Sequence, residues 1–97
     1  MKLTTIKKRL KGFANISNFT SSRSGSEVAN QFLVDFDNGS LFKSYDSIIA
    51  VKMKGQVYLT DAWDYSTTTG KYRNQFLGEG VQETREKIKN GTYKMLE

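Results

Sequence analysis

Ninety-seven residues and 11.0 kDa set the scale of one domain, which should bury roughly 60–65% of the surface its unfolded chain exposes. Apolar residues make up 37% of the chain and twelve of them are Phe, Tyr or Trp, enough for one thin, aromatic-rich core but not for a deep substrate cavity. The absence of Cys and His excludes thiol chemistry, disulfides, imidazole catalysis and Cys/His metal sites, and a net charge of +5 directs attention to anionic partners.

Leu3, Ile6, Leu10 and Phe13 are spaced three, four and three apart, which predicts one face of a helix. Thr4 or Thr5 can cap its start, and Gly12 weakens its end. Asn15 to Glu27 is rich in Ser, Asn and Thr and reads as a polar loop, with room for a short strand around Ile16 to Phe19. Residues 1–26 are thus a basic amino-terminal helix and loop. From Asn30 the apolar period becomes two, and Asn38-Gly39 offers the positive φ pair of a type I′ turn. That turn would pair Phe36 with Leu41, Val34 with Lys43 and Phe32 with Tyr45, collecting Phe32, Val34, Phe36, Leu41 and Tyr45 on one face with Lys43 its polar exception. Ser47 to Met53 and Gln56 to Thr60 continue the pattern through Lys54-Gly55. Ile48, Ile49, Ala50 and Val51 are apolar without alternation, as in a central strand covered on both sides. Residues 28–60 therefore form an antiparallel sheet.

Residues 61–97 hold an aromatic segment and two short helices. Any of Ser66 to Thr69 can cap the first, which carries Tyr72 and Phe76 one turn apart and stops at Gly78 and Gly80. The second runs from Val81 to Lys89, with Glu83 and Lys87 in the favourable order and Asn90-Gly91 as its stop. Tyr93, Met95 and Leu96 return as a short extended tail. The predicted fold is α+β, one domain over residues 1–97: a four-stranded antiparallel meander, one N-terminal helix and two short C-terminal helices, packed against one face.

Charge is unevenly placed. Residues 1–23 carry six bases and no acid, residues 24–70 sum to −3, and residues 71–97 to +2. In the basic run Lys7, Lys8, Arg9 and Lys11, if residues 4–13 are helical, Lys7 and Lys11 align with Lys8 beside them, a cationic ridge able to contact phosphates. The bland reading of that ridge is the solvated face of an amphipathic helix. Lys11-Gly12-Phe13-Ala14 with Ile16 matches the first half of an RNA-recognition strand motif, but Asn15 and Asn18 stand where stacking aromatics are needed. Lys71 and Arg73 fall in the first turns of a helix, beside Trp63 and Tyr72, and are the candidate partner-binding pair. Both are expected at the surface, because burying an unpaired cation is costly. Asp35 with Asp37, and Asp61 with Asp64, read as turn and strand-end residues, so no catalytic, cofactor or metal residue is assigned.

Tyr45-Asp46-Ser47-Ile48-Ile49-Ala50, then Gly55-Gln56-Val57-Tyr58-Leu59, then Trp63-Asp64-Tyr65-Ser66 with Thr68-Thr69, Tyr72, Asn74, Phe76 and Leu77, resemble a domain of unknown function shared by short phage and prophage proteins, mostly of Gram-positive hosts. The resemblance covers about residues 30–90 and leaves the basic arm outside it. It implies a non-enzymatic binding protein, without cofactor, acting in the host cytoplasm on a host protein of the nucleic-acid-processing kind, as anti-CRISPR and anti-restriction inhibitors do. The alternative expectation is direct, weakly sequence-specific nucleic-acid binding through Lys7, Lys8, Arg9 and Lys11. No membrane partner is expected.

Overall fold

The computed structural model describes residues 1–97 apart from Phe13 and Ser22. A helix α1 (Leu3–Arg9) leads into strands β1 (Asn15–Thr20), β2 (Glu27–Phe36), β3 (Gly39–Ser44), β4 (Ser47–Met53) and β5 (Gln56–Leu59). Helices α2 (Thr67–Leu77) and α3 (Val81–Lys89) follow, and a two-residue strand β6 (Lys94–Met95) ends the fold. The result is α+β, but the sheet has six strands in the order β1-β2-β3-β4-β5-β6. The predicted four-stranded meander is its middle. The short strand at residues 16–19 adds one antiparallel edge, and the extended tail adds the other, parallel to β5.

The helices lie on both faces, not one. Ile6 and Leu10 pack with Val34, Leu41, Val51, Met53 and Leu96 under α1. Tyr72 and Phe76 of α2 pack with Phe42, Ile49, Ala50 and Leu59 on the opposite face, where Trp63 and Ile88 join them. The placement follows from alternation along the strands: Ala50 points to α2 and its neighbour Val51 to α1, so β4 is covered on both sides as its composition requires. α1 starts behind Lys2 with no side-chain cap, so neither Thr4 nor Thr5 fills that role. Phe13, the fourth member of the predicted stripe, lies outside the described residues.

The β2–β3 hairpin departs from its predicted register by two residues. Val34 pairs with Leu41 and Phe36 with Gly39, leaving Asp37 and Asn38 as the loop. Asn38 is committed elsewhere: its Oδ1 accepts from the Lys11 N–H at 2.7 Å and its Nδ2 donates to the Arg9 carbonyl at 2.6 Å. The Asp37 N–H donates to the Lys11 carbonyl at 2.9 Å, completing a clasp between hairpin tip and amino-terminal arm. Gly39 is needed for close approach, since a Cβ there would collide with the Lys52 carbonyl of β4. The positive φ pair appears two hairpins later, between β4 and β5, at Lys54 (53°) and Gly55 (73°). A shift of two preserves the faces of the paired residues, so Phe36, Val34 and Leu41 remain together, with Phe36 only half-buried, but Tyr45 falls beyond β3 in the next turn, at φ 53°, and is exposed.

The carboxy-terminal region is tied by one acid. Glu79, its side chain 3% exposed, accepts from Lys87 Nζ, Tyr93 Oη and Thr84 Oγ1, each at 2.6 Å. Lys87 therefore pairs with the loop before α3 and not with Glu83 as its spacing suggests. Burial alone raises the Glu79 pKa, but the hydrogen bonds from Lys87, Thr84 and Tyr93 outweigh it and hold the carboxyl below its ordinary value of 4.5. A carboxyl that is more acidic in the fold than in the unfolded chain stabilises at pH above its unfolded value, and that contribution disappears as pH falls through the folded value. Urea midpoints should therefore drop from about pH 5 downward, and Glu79→Gln should flatten the drop while lowering the neutral-pH midpoint. An unchanged acid slope in the variant would remove Glu79 as its source.

Candidate functional site

The predicted pair Lys71 and Arg73 is split by the fold. Ser66 caps α2, its Oγ accepting from the Thr69 N–H at 3.1 Å, and Gly78 closes the helix at φ 71°. At the same end, the Ser66 hydroxyl donates to Thr69 Oγ1 at 3.0 Å, and Thr69 Oγ1 lies 3.1 Å from the Ser44 hydroxyl of β3. At the far end, Lys52 Nζ of β4 donates to the Phe76 carbonyl, a cation set against the negative pole of the helix. Tyr72 and Phe76 turn to the sheet as their spacing requires.

Lys71 is exposed, its Nζ 5.6 Å from the Tyr72 ring centroid and in no ion pair among the described residues. Arg73 is 1% exposed, which overturns its expected place at the surface. The cost of burying a cation is met by partners: Nη1 donates to Asp64 Oδ1 at 3.0 Å and to the Trp63 carbonyl at 2.8 Å, and Nη2 donates to Asn74 Oδ1 at 3.0 Å. The guanidinium also lies 5.2 Å from the Trp63 ring, while its Nε is buried with no partner among the described residues.

Asp64 has a second tenant. Its Oδ2 accepts from Arg85 Nη2 of α3 at 3.3 Å, so one carboxylate holds a buried arginine below and an exposed arginine above. The outcome is an open depression of about 710 Å³ at the start of α2, walled by Asp64, Tyr65, Ser66, Lys71 and Arg85. Three bases against one acid leave this corner positive. Arg85 was not a sequence candidate, because its partner lies 21 residues away and no local spacing signals the pair.

The basic arm keeps its charges outside but not its ridge. Lys7, Lys8, Arg9 and Lys11 are all exposed, and none joins an ion pair among the described residues. α1 stops at Arg9, with Leu10 extended, so Lys11 is carried by the clasp and does not stack one turn above Lys7. Asp64 gives its carboxylate to the two arginines, and neither it nor Asp35, Asp37 or Asp61 joins a cluster of three or more acids among the described residues. No helix among the described residues is long and apolar enough to cross a membrane.

A family model described as a family of unknown function (DUF8033) matches residues 1–93. The match takes in the basic arm, so α1 and β1 are part of the family's domain and not an addition to it, contrary to the narrower resemblance over residues 30–90. Comparison with curated proteins and with solved structures yields no match. By a match over nearly its whole length, the chain belongs to the DUF8033 family, whose function is unknown.

Proposed function

We propose that the protein is a non-enzymatic, phage-type binding protein that blocks a host factor by occupying an acidic surface of it, in the manner of an anti-CRISPR or anti-restriction inhibitor in the host cytoplasm. The observation that supports this reading is the cationic corner at the start of α2. Lys71 stands exposed and unpaired among the described residues, Arg85 is oriented by Asp64, and Arg73 braces Asp64 from beneath. Preorganised charge of this kind favours complementary encounter and register over raw affinity. Arg73 then acts as a positioning residue, and Arg85 replaces it at the contact surface.

Lys71→Glu with Arg85→Glu should change stability by less than about 1 kcal/mol, because both side chains are exposed and surface ion pairs contribute little. The same double variant should lose capture of its partner from a Gram-positive bacterial lysate treated with nuclease. Capture that is equal for wild type and variant would sink the corner as the contact surface. The second reading, direct nucleic-acid binding, draws support from the unpaired bases of the arm. In that case capture disappears on nuclease treatment, and binding weakens with salt at a slope of about −0.9 per phosphate neutralised on duplex DNA.

A further inference from the structure

The opposite face of the sheet is only partly roofed. α1 covers Val34, Leu41 and Val51, but Ile16 of β1 is 65% exposed and Phe32 beside it is half-buried. Ile16 and Val34 line a groove of about 480 Å³ whose walls include Lys7 of α1 and Lys43 of β3. The groove runs out to an open sheet edge. β1 pairs with β2 alone, and no other described backbone segment bonds to it between Asn15 and Thr20. Alternate N–H and C=O groups of an antiparallel edge strand point away from the sheet and are ready to pair. Such edges are commonly guarded by a charge or a proline, yet between Lys11 and Arg23 this chain carries neither. β1 is also fixed in place: Phe19 packs edge-on against Phe42 at 5.1 Å and lies 5.8 Å from Tyr72.

We propose that β1 is a docking edge for an extended, acidic segment of a protein partner, which joins the sheet as a further strand. On the face it shares with Ile16, its apolar side chains cover Ile16 and Phe32, and carboxylates interspersed among them on that same face meet Lys7 and Lys43. Charge selects this occupant. α1 roofs this face and its Lys7, Lys8 and Arg9 are exposed, so that with Lys43 they outnumber Asp46 and Asp61, the acids among the described residues that line the groove. A second copy would bring another +5 to the same edge. A phosphate backbone accepts hydrogen bonds but donates none, and so leaves the outward carbonyls of β1 without donors, whereas a peptide strand supplies both. The surface is on the other side of the sheet from Lys71 and Arg85, so it stands or falls independently of them.

The experiment uses the full chain and a fluorescent peptide of about ten residues repeating Val-Thr-Glu-Thr, which sets Val and Glu on one face, read by anisotropy. The peptide should bind, its counterpart with Lys for Glu should not, and Ile16→Glu should weaken binding by about tenfold or more. N-methylation of every second peptide nitrogen tests strand pairing directly. One of the two methylation phases should abolish binding and the other should leave it nearly intact, because only alternate N–H groups face β1. Ile16 is exposed, so the glutamate variant should fold, and its melting temperature checks that it does. The proposal is overturned if the acidic peptide does not bind, if both methylation phases behave alike, or if a single-stranded oligothymidine binds this edge in its place and loses affinity in Ile16→Glu.

Discussion

Asp64→Ala is expected to destabilise the protein by about 3 kcal/mol, the lower end of the cost of breaking a buried ion pair. The substitution strands Arg73, whose side chain is 2% exposed, with only carbonyl partners and an already unpartnered Nε. Partial exposure of Asp64, at 36%, moderates the loss because water can approach the pair from the carboxylate side. Arg73→Met behaves differently. It removes the buried charge, keeps most of the packing against Trp63, and leaves Asp64 free to pair with Arg85, so its cost should be about 1 kcal/mol. The double variant Asp64→Ala with Arg73→Met should recover most of what Asp64→Ala loses. Urea titrations of the four proteins measure this cycle, and strictly additive losses would show that the pair is not coupled.

Phe42→Ala should cost about 3–5 kcal/mol, a large share of the stability available to a domain of this size. Phe42 is fully buried at the centre of the α2 face, 5.1 Å from Phe19 and 6.2 Å from Phe76 by ring centroids. Its loss leaves a cavity among three elements and removes two aromatic pairs, each worth about 0.5–1.5 kcal/mol beyond area. The half-buried Phe36, on the other face, should lose clearly less on the same substitution. Thermal or urea unfolding decides it, and equal losses at the two sites would show that the two faces contribute alike. Amide exchange in β1 should also quicken in Phe42→Ala, because Phe19 is the side chain that binds β1 to this core.

Local chemistry was legible in the sequence wherever neighbours in the chain are neighbours in space. The span of α3, the stop at Gly78 and the double-faced burial of β4 all follow from spacing and turn residues within a few positions. The register of the β2–β3 hairpin did not, because its turn is decided by Asn38 bonding to Arg9 and Lys11, 29 and 27 residues away. Asn-Gly is a strong turn signal when nothing else claims the asparagine; here the arm does. Period two is insensitive to a two-residue slip, and so the faces were right while the pairs were wrong. The same limit separates Lys71 from Arg73. Both look solvent-facing in a polar segment, and only the return of Asp64 against α2 gives Arg73 an interior partner. Glu79 repeats the lesson: the pattern along α3 offers Glu83 to Lys87, but the loop folds a nearer, drier acid onto it.

The two ends of the sheet are unlike, and this limits how the molecule can associate. β6 is two residues long and ends at Met95, and just beyond it the Glu97 N–H donates to the Met1 carbonyl at 3.0 Å, so the Met1 backbone covers that side. β1 spans six residues and is open. Growth of a fibre by strand addition needs two reactive edges per subunit, one to receive and one to offer. With a single receptive edge, any strand-to-strand association of the folded protein terminates after one step. An exposed, uncharged edge can thus persist at β1 without making the native state a seed for open-ended assembly.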